Sequence, residues 1–283
     1  MKVYHSAFPD LDQDGVATLH GRKVRLLRAF DGKKADHAVP EYSGGMFLDS
    51  GAFTAWNSGK PISLQAYIDY LAKHRGAFEV YASLDVIGDA KGSLRNQRKM
   101  ERAGLHPMPC YHFGEPEEYL DLYIDEYDYF ALGGFVGQKK KSALVWWFGQ
   151  CWGRIESAGK GTKVHGFGMT DPKLVKMFPW HSIDSTTASR IGRTGSIYVP
   201  PWRQLEISAD RVAGRSVMSP GKVEAVMGRY RELLPDVEFE WKDIACQTRE
   251  ASQLRVALNA MMLDIDLGSG LKLERPKHKG FSI

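Results

Sequence analysis

The chain has 283 residues, of which 43% are hydrophobic and 25% are charged; this ordinary globular composition leaves one large domain or two small ones open. The formal net charge of +4 is compatible with a nucleic-acid partner but does not by itself indicate one. The three cysteines, Cys110, Cys151 and Cys246, are far apart and form no CxxC pair, which argues against a structural zinc site and a disulfide framework.

The N-terminus and the apolar runs indicate where the protein resides. The first residues, MKVYHSAFPDLDQDG, turn polar and acidic at once and lack the apolar core of a signal peptide. No apolar run approaches the roughly 18 residues that a membrane helix needs. We therefore expect a soluble protein of the cytoplasm, or of the host cytoplasm if a phage encodes it. It is expected to have no membrane partner, no metal and no cofactor.

Short apolar runs recur along the chain, and they usually end near a Gly, Asp, His or Pro. They predict eight strands, with the first and the last the weakest. In chain order the predicted strands are Val24–Phe30, Gly45–Asp49, Phe78–Asp85, Pro107–Phe113, Tyr129–Gly133, Lys163–Gly168, His181–Asp184 and Ile197–Val199.

Helical patterning fills several of the intervals between these strands. Helices are predicted at Pro61–Arg75 (with Ser63 as cap), Ser93–Gly104, Glu115–Glu126, Ser142–Ala158, Pro220–Leu234 and Thr248–Asp264. The alternation predicts a single α/β domain, a parallel (β/α)8 TIM barrel over about residues 24–200, with additional C-terminal helices over about residues 201–283. The basic tail KLERPKHKGFSI is expected to be loose.

In such a barrel the active-site groups lie at the carboxyl ends of the strands. This rule selects seven residues: Asp49, Asp85, His112, Gly133, Gly134, His165 and Asp184. An aspartate at a strand end often caps the next helix. Three carboxylates at one mouth are more than caps require, and buried unpaired carboxylates are costly. They therefore indicate a catalytic site.

Four segments, in order along the chain, carry a family resemblance. They are Asp49–Phe53 (DSGAF), Ala131–Gly137 (ALGGFVG), His165–Gly168 (HGFG) followed by Asp171-Pro172, and Asp184–Gly195 (D-x5-R-x2-R-x-G). Together they resemble the ordered motifs of the tRNA-guanine transglycosylase superfamily. Each motif alone is weak, but four in order, each at a predicted strand end, make the resemblance specific. It covers about residues 45–199.

The resemblance implies a base exchange at an N-glycosidic bond. Asp184 matches the family's nucleophile, which attacks the anomeric carbon of the target nucleoside; a carboxylate suits this because it is ionised at neutral pH and forms a glycosyl ester. Asp49 matches the carboxylate that moves protons to and from the exchanging bases. Asp85 matches the carboxylate that accepts the ring N–H and the exocyclic amine of a guanine-like base.

The resemblance also implies supporting residues around the base. Ser50 is expected to orient the Asp85 carboxylate, and the backbone N–H of Gly134, beside Gly133, to meet the base carbonyl. Phe53 occupies the family's stacking position, with plain core packing as the alternative. Arg190 and Arg193 are expected to bind the substrate backbone, with a solvated loop pair as the alternative.

Two histidines depart from the family pattern. His112 lies in Tyr111–Gly114 (YHFG), which aligns only loosely with the family's glutamine-glycine segment. It is expected to donate to the base carbonyl or to be a structural histidine. His165 stands at the family's second stacking position, where the family has an apolar methionine. The details of the base pocket are therefore expected to differ.

The polymer substrate is the remaining question. The zinc subdomain of the tRNA enzymes has no counterpart among the 283 residues. This favours the phage and bacterial relatives that place a 7-deazaguanine into DNA, with the target guanine flipped out of the stack. The alternatives are a tRNA enzyme with the same chemistry, a non-catalytic family subunit and an unrelated barrel hydrolase. The oligomeric state and the particular deazaguanine are open at this point.

Overall fold

The computed structural model describes residues 1–8, 18–19, 21–32, 39, 42–135, 140–207 and 218–268. Two predictions lie outside these residues. One is the end of the glycine motif at Val136-Gly137, and the other is the loose basic tail. The strands are β1 (Lys2–Ser6), β2 (Thr18–Leu19), β3 (Arg22–Lys23), β4 (Arg25–Ala29), β5 (Met46–Asp49), β6 (Val80–Tyr81), β7 (Cys110–His112), β8 (Tyr129–Gly133), β9 (Lys163–Gly166), β10 (Ser182–Ser185), β11 (Ser196–Val199) and β12 (Arg203–Glu206).

Eight of these strands form one curled, all-parallel sheet. Their order across the sheet is β6-β5-β4-β1-β10-β9-β8-β7. Each strand therefore pairs with the sheet strand that comes before or after it in the sequence, and in addition the first strand, β1, pairs with the last, β10. Helices follow most of these strands, as parallel crossovers require. The predicted α/β class is confirmed, and the curled sheet is compatible with a TIM-like barrel.

The two outer strands, β6 and β7, approach each other just beyond the end of β6. An isolated parallel bridge pairs Ala82 with Met108. Its hydrogen bonds run from the Met108 N–H to the Tyr81 carbonyl and from the Ser83 N–H to the Met108 carbonyl, each at 2.9 Å. Within the described residues no continuous ladder joins β6 to β7, so the barrel is not closed by a full ladder.

The predicted first strand, Val24–Phe30, is found as β4 (Arg25–Ala29) in the main sheet, but one more strand precedes it, and the predicted last strand is wrong. The sheet begins at β1 (Lys2–Ser6), which the sequence pattern did not indicate because KVYHS has a single aliphatic residue. It is buried because strands pair with it on both sides. The predicted strand Ile197–Val199 lies in β11, which pairs with β12 in an antiparallel hairpin outside the main sheet. Its apolar run reflects burial beside the C-terminal helices and not membership of the sheet.

The helices agree with the predictions more closely. They are α1 (Ala52–Ser58), α2 (Leu64–Lys73), α3 (Ala90–Arg102), α4 (Glu117–Glu126), α5 (Lys141–Ala158), α6 (Pro172–Met177), α7 (Thr187–Arg193), α8 (Pro220–Leu233), α9 (Trp241–Ala245) and α10 (Arg249–Leu263), followed by a π-helix at Asp264–Gly268. Ser63 caps α2 as expected, accepting from the Ala66 N–H at 3.3 Å. Among the described helices, none is both long and apolar enough to cross a membrane.

Helix α10 holds α7 against the end of the sheet. Arg255 is fully buried, and its guanidinium donates to the carbonyl of Gly192 at 2.8 Å. Asn259 donates to the carbonyls of Ala188 and Ser196. A side chain at position 192 would lie 2.7 Å from a Val256 methyl group, so glycine is what lets the two helices approach. These contacts fix the helix that follows Asp184.

Candidate active site

The parallel strands bring the predicted functional residues to one edge of the sheet. Five of them occupy strands: Asp49 ends β5, His112 ends β7, Gly133 ends β8, His165 lies in β9 and Asp184 lies in β10. Gly134 comes directly after β8. Asp85 follows β6 in the loop before α3, because β6 is shorter than its predicted span Phe78–Asp85. The placement expected of a parallel sheet is therefore found, while the chemical roles remain predictions.

The Asp184 carboxylate is fixed by the neighbouring strand. Its Oδ1 accepts the backbone N–H of Gly168 at 2.6 Å, and the residue is only 8% exposed. Gly168 has a φ of +64°, which favours glycine. This turn conformation aims the N–H at Asp184, so the last glycine of the HGFG segment positions a hydrogen-bond donor for the carboxylate. The bond engages Oδ1, and Oδ2 makes no hydrogen bond to the described residues.

His165 lies under Asp184 in the interior of the sheet. It is fully buried, and its ring packs against Phe47 and Phe167 at centroid distances of 4.8 and 4.7 Å. Its Nδ1 lies 2.6 Å from the Ser182 hydroxyl, and its Nε2 lies 3.4 Å from Asp184 Oδ1. Burial lowers the pKa of His165, so the ring is neutral at pH 7. This position favours support of Asp184 over the predicted contact with a base.

A hydrogen-bonded chain continues behind His165. The Ser182 hydroxyl also lies 2.6 Å from the Tyr129 hydroxyl. If Tyr129 donates to Ser182 and Ser182 donates to Nδ1 of His165, the remaining ring proton sits on Nε2 and faces Asp184. Within the described residues Nε2 has no hydrogen-bond partner, and it lies 3.4 Å from Asp184 Oδ1. Sequence reasoning did not identify Tyr129 or Ser182.

Among the described residues, Asp49 is the carboxyl group with the largest change in pKa. Burial, together with the charges of Asp184 and Asp85, raises its pKa to about 7. Hydrogen bonds from the backbone N–H groups of Gly51 and Ser50 act in the opposite direction but do not outweigh it. Both its protonated and its ionised form are therefore accessible near neutral pH. A carboxyl group in that state can both give and accept a proton.

Gly51 explains why the DSG sequence is needed beside Asp49. Its φ is +76°, and an added Cβ would lie 2.6 Å from the Phe30 carbonyl oxygen. Only glycine fits this turn without strain. The preceding residue, Ser50, is 1% exposed. The turn thereby sets the two N–H groups that bond to the Asp49 carboxylate.

Asp85 and His112 form an ion pair beside the other two carboxylates. Their Oδ2 and Nε2 atoms are 3.3 Å apart. Burial alone would lower the pKa of His112, but its interactions with Cys110 and Asp85 outweigh that effect and raise the pKa. On the other side of the ring, Nδ1 lies 3.1 Å from Glu115 Oε1. Glu115 was not identified from the sequence, although it is only three residues from His112.

The glycine pair after β8 allows the strand ends to approach closely. Gly134 has a φ of +73°, and a Cβ there would lie 2.9 Å from the Cβ of His112. A Cβ at Gly133 would lie 2.8 Å from the Cys110 sulfur. Gly134 is exposed, as a backbone N–H that meets a ligand must be. The pair therefore keeps this part of the mouth open and leaves room for the neighbouring side chains.

Aromatic side chains stand at the rim next to Asp49. Phe53 in α1 is 51% exposed, which rules out the core-packing alternative. Trp56, one turn further along α1, is 61% exposed, and the two ring centroids are 6.2 Å apart. Trp56 was missed by sequence reasoning, although its spacing of three residues from Phe53 places both on one helix face. Exposed aromatic rings of this kind can stack on bases.

The two arginines after Asp184 differ in their surroundings. Arg190 is exposed in the last turn of α7, and its guanidinium makes no ion pair with the described residues. Arg193 is also exposed, but its Nη2 donates to the carbonyl of Ala7 at 2.7 Å. The Ser189 hydroxyl donates to the same carbonyl at 2.6 Å. Arg193 therefore helps to hold the loop after β1, whereas Arg190 is available to a ligand.

Comparison with known proteins adds no assignment. No protein-family profile matches the chain, and no curated protein matches it. The four ordered motifs therefore remain a resemblance. Three features of the site bear on its function: the fixed Asp184 carboxylate, the Asp49 carboxyl group with a pKa of about 7, and the Asp85–His112 ion pair.

Proposed function

We propose that the chain is a nucleic-acid guanine transglycosylase, a pentosyltransferase. It exchanges guanine for a 7-deazaguanine base of the preQ0 or preQ1 type in DNA, at the mouth of a TIM-like barrel. The observation that carries this proposal is the inequivalence of two carboxyl groups at one mouth. Asp184 is held by a backbone N–H, whereas the pKa of Asp49 is about 7. Environments that separate two carboxyl groups in this way suit one to nucleophilic attack and the other to proton transfer.

The reaction begins at Asp184. With Oδ1 bonded to Gly168, the second oxygen of the carboxylate is free to attack the anomeric carbon of the flipped nucleotide. A carbon–oxygen bond forms as the bond to guanine breaks, and a proton from Asp49 goes to the departing base. The incoming base then attacks the same carbon, releases Asp184 and returns a proton to Asp49. Two inversions give net retention.

Base recognition is assigned to Asp85. A guanine-like edge presents two N–H donors side by side, and one carboxylate accepts both. His112 lies 3.3 Å from Asp85 and would hold this carboxylate in place as well as face the base carbonyl. Ser50 and the N–H of Gly134 complete the expected contacts, and Phe53 would stack on the base.

Replacing Asp85 with asparagine is expected to weaken base binding by about 2–4 kcal/mol, the scale of an unsatisfied or repulsive buried pair. The change places an amide N–H where the base presents a donor. Binding of labelled guanine by equilibrium dialysis measures the loss. Asp89→Asn, which replaces the cap of α3 with another good capping residue, is the control and should bind base as wild type does. Unchanged binding in Asp85→Asn would remove Asp85 from the base site.

The polymer is expected to contact Phe53, Trp56 and Arg190, which are exposed on the helices that follow Asp49 and Asp184. Arg190 is the better phosphate ligand of the arginine pair, since Arg193 is partly engaged by Ala7. Exposed rings beside the mouth suit stacking on neighbouring bases when the target guanine leaves the duplex. DNA is proposed as the polymer because the 283 residues contain no counterpart of the zinc subdomain of the tRNA enzymes.

Arg190→Ala is expected to weaken DNA binding with little sequence dependence and to flatten its salt dependence by about one phosphate contact. Arg193→Ala should also weaken binding, and should in addition lower the thermal stability because the Ala7 carbonyl loses a donor. Fluorescence anisotropy with labelled duplex over a salt series gives the slopes. The matched control is Arg231→Ala, an exposed arginine on α8 paired with Glu224. If both single variants showed the same salt dependence of DNA binding as wild type, neither arginine would contact a phosphate, and both would be solvated loop charges.

The exchange assay tests the proposal directly. The protein is incubated with radiolabelled guanine and either duplex DNA or tRNA, and the label in each polymer is counted. Label in DNA supports the proposal. Label in tRNA alone would show that the same chemistry acts on the alternative polymer, tRNA. Label in neither polymer, with a folded protein that still binds nucleic acid, would leave a non-catalytic subunit. Release of free base without incorporation would indicate a hydrolase.

A further inference from the structure

We propose that Asp85, Cys110 and His112 together bind a zinc ion. The ligand atoms of these three side chains all lie within 4.8 Å of one another. Cys110 and His112 are two residues apart on strand β7, so both side chains point to the same face of the sheet. Asp85 reaches them from the end of the neighbouring strand β6. Asp85 and His112 also belong to the proposed base site, so zinc and the base would share these two side chains, but the inference rests on the geometry of the ligands alone.

The set of ligands matches the preferences of zinc. Thiolate, imidazole and carboxylate are its usual protein ligands, and the sulfur disfavours magnesium and calcium. With bond lengths of about 2.0 Å to nitrogen and oxygen, tetrahedral geometry puts two such ligand atoms about 3.3 Å apart. The observed distance from His112 Nε2 to Asp85 Oδ2 is 3.3 Å. Three protein ligands also leave a fourth position open, as in zinc sites that bind a substrate or water.

Glu115 supplies the second observation. Its Oε2 accepts the backbone N–H of His112 at 2.9 Å, and its Oε1 lies 3.1 Å from Nδ1 of the same residue. A ring that donates its Nδ1 proton to a carboxylate presents the lone pair of Nε2 on the opposite side. Metal-bound histidines show this arrangement, in which a carboxylate orients the ring. Here Nε2 is thereby turned toward Asp85.

The surroundings leave room for the ion and balance its charge. Cys110 is 2% exposed, and the glycine at position 133 avoids a contact of 2.8 Å with its sulfur. On binding, the thiol and an Nε2-protonated imidazole would each release a proton to solvent. One thiolate and one carboxylate then neutralise the two positive charges of zinc, so that the buried cluster carries no net charge.

Metal content and a cobalt spectrum test the inference. The protein is loaded with zinc, dialysed against metal-free buffer and analysed by inductively coupled plasma mass spectrometry. Wild type is expected to retain about one zinc ion per chain. Cobalt(II) in place of zinc should show a thiolate-to-cobalt charge-transfer band. Cys110→Ser should lose both the zinc and the band, whereas Cys151→Ser, which changes a buried cysteine on α5, should keep both.

A more conservative variant guards against misfolding as the cause of the loss. Glu115→Gln leaves all three ligands in place and should weaken zinc binding by about 10–100-fold in competition with a chromophoric chelator. Wild-type protein that retains no zinc after dialysis, or a cobalt spectrum unchanged in Cys110→Ser, would overturn the inference. Zinc binding without base exchange would refute only the proposed function, and exchange by a protein unable to hold zinc would refute only the zinc site.

Discussion

Asp184→Asn is expected to lower the rate of base exchange by about 10⁴-fold or more, the scale of losing a nucleophile. The asparagine amide keeps an oxygen that can accept the Gly168 N–H, so the turn and the fold should survive. It lacks the charged oxygen that forms the glycosyl ester. Polymer binding should change little, because Arg190 and the aromatic rim are untouched.

Covalent trapping provides the measurement. Wild-type protein incubated with DNA and a poorly reacting base analogue should give an adduct that survives a denaturing gel, and Asp184→Asn should give none. Asp171→Asn is the matched control, since Asp171 also follows a strand of the same sheet but caps α6. Asparagine caps helices as well as aspartate does, so this variant should exchange at the wild-type rate. An adduct of equal yield on Asp184→Asn would show that another group is the nucleophile.

Much of the fold could be predicted from the sequence, because buried parallel strands appear as short apolar runs. Strand β8 was predicted with the bounds it has, and α2 was predicted together with its cap, Ser63. The failures were β1 and β11. Strand β1 is buried by its two neighbours despite a polar sequence, and β11 is apolar because it is covered by α10. Burial alone does not tell which sheet a strand joins.

The candidate site was predictable to the extent that it lies at strand ends. Asp85 and Asp184 lie close enough to Asp49 for their charges to raise its pKa. What the sequence could not show was the orientation of side chains. The position of His165 beneath Asp184 depends on its packing against Phe47, which is 118 residues earlier in the chain. The approach of Cys110 to Asp85 likewise depends on the pairing of strand ends and not on spacing.

Three carboxyl groups lie at the mouth of the barrel, and the ionised form of Asp49 is disfavoured there. A carboxylate there is ionised against burial and against two neighbouring carboxylates. Such a cost is tolerated where the altered pKa serves chemistry. Replacing Asp49 with a neutral residue should therefore have opposite effects on the two properties: it should slow base exchange and, at alkaline pH, stabilise the fold.

Asp49→Asn should remove the pH dependence of the first half-reaction and raise the stability of the fold at alkaline pH. In the proposed mechanism the departing guanine takes its proton from protonated Asp49, so adduct formation by wild type should fall as the pH rises through about 7. The variant should form the adduct slowly at every pH. Because the folded state binds this proton more tightly than the unfolded state, the stability due to Asp49 is complete below pH 3.8 and is lost as the pH rises through about 7. At pH 8 the variant should therefore be more stable than wild type, by on the order of 3 kcal/mol.

Urea unfolding at pH 5 and pH 8 measures the change in stability, and single-turnover adduct formation at the same two pH values measures the change in the first half-reaction. Asp171→Asn is the control, because its effect on stability at pH 8 should have the opposite sign. Burial acts to raise the pKa of Asp171, but Lys141 and the N–H groups at the start of α6 outweigh it and lower the pKa. Its carboxylate thus stabilises the fold above its unfolded pKa, and replacing it should lower the stability at pH 8. An Asp49→Asn variant less stable than wild type at pH 8, or with an unchanged pH profile of adduct formation, would show that Asp49 is ionised without cost and does not supply the proton.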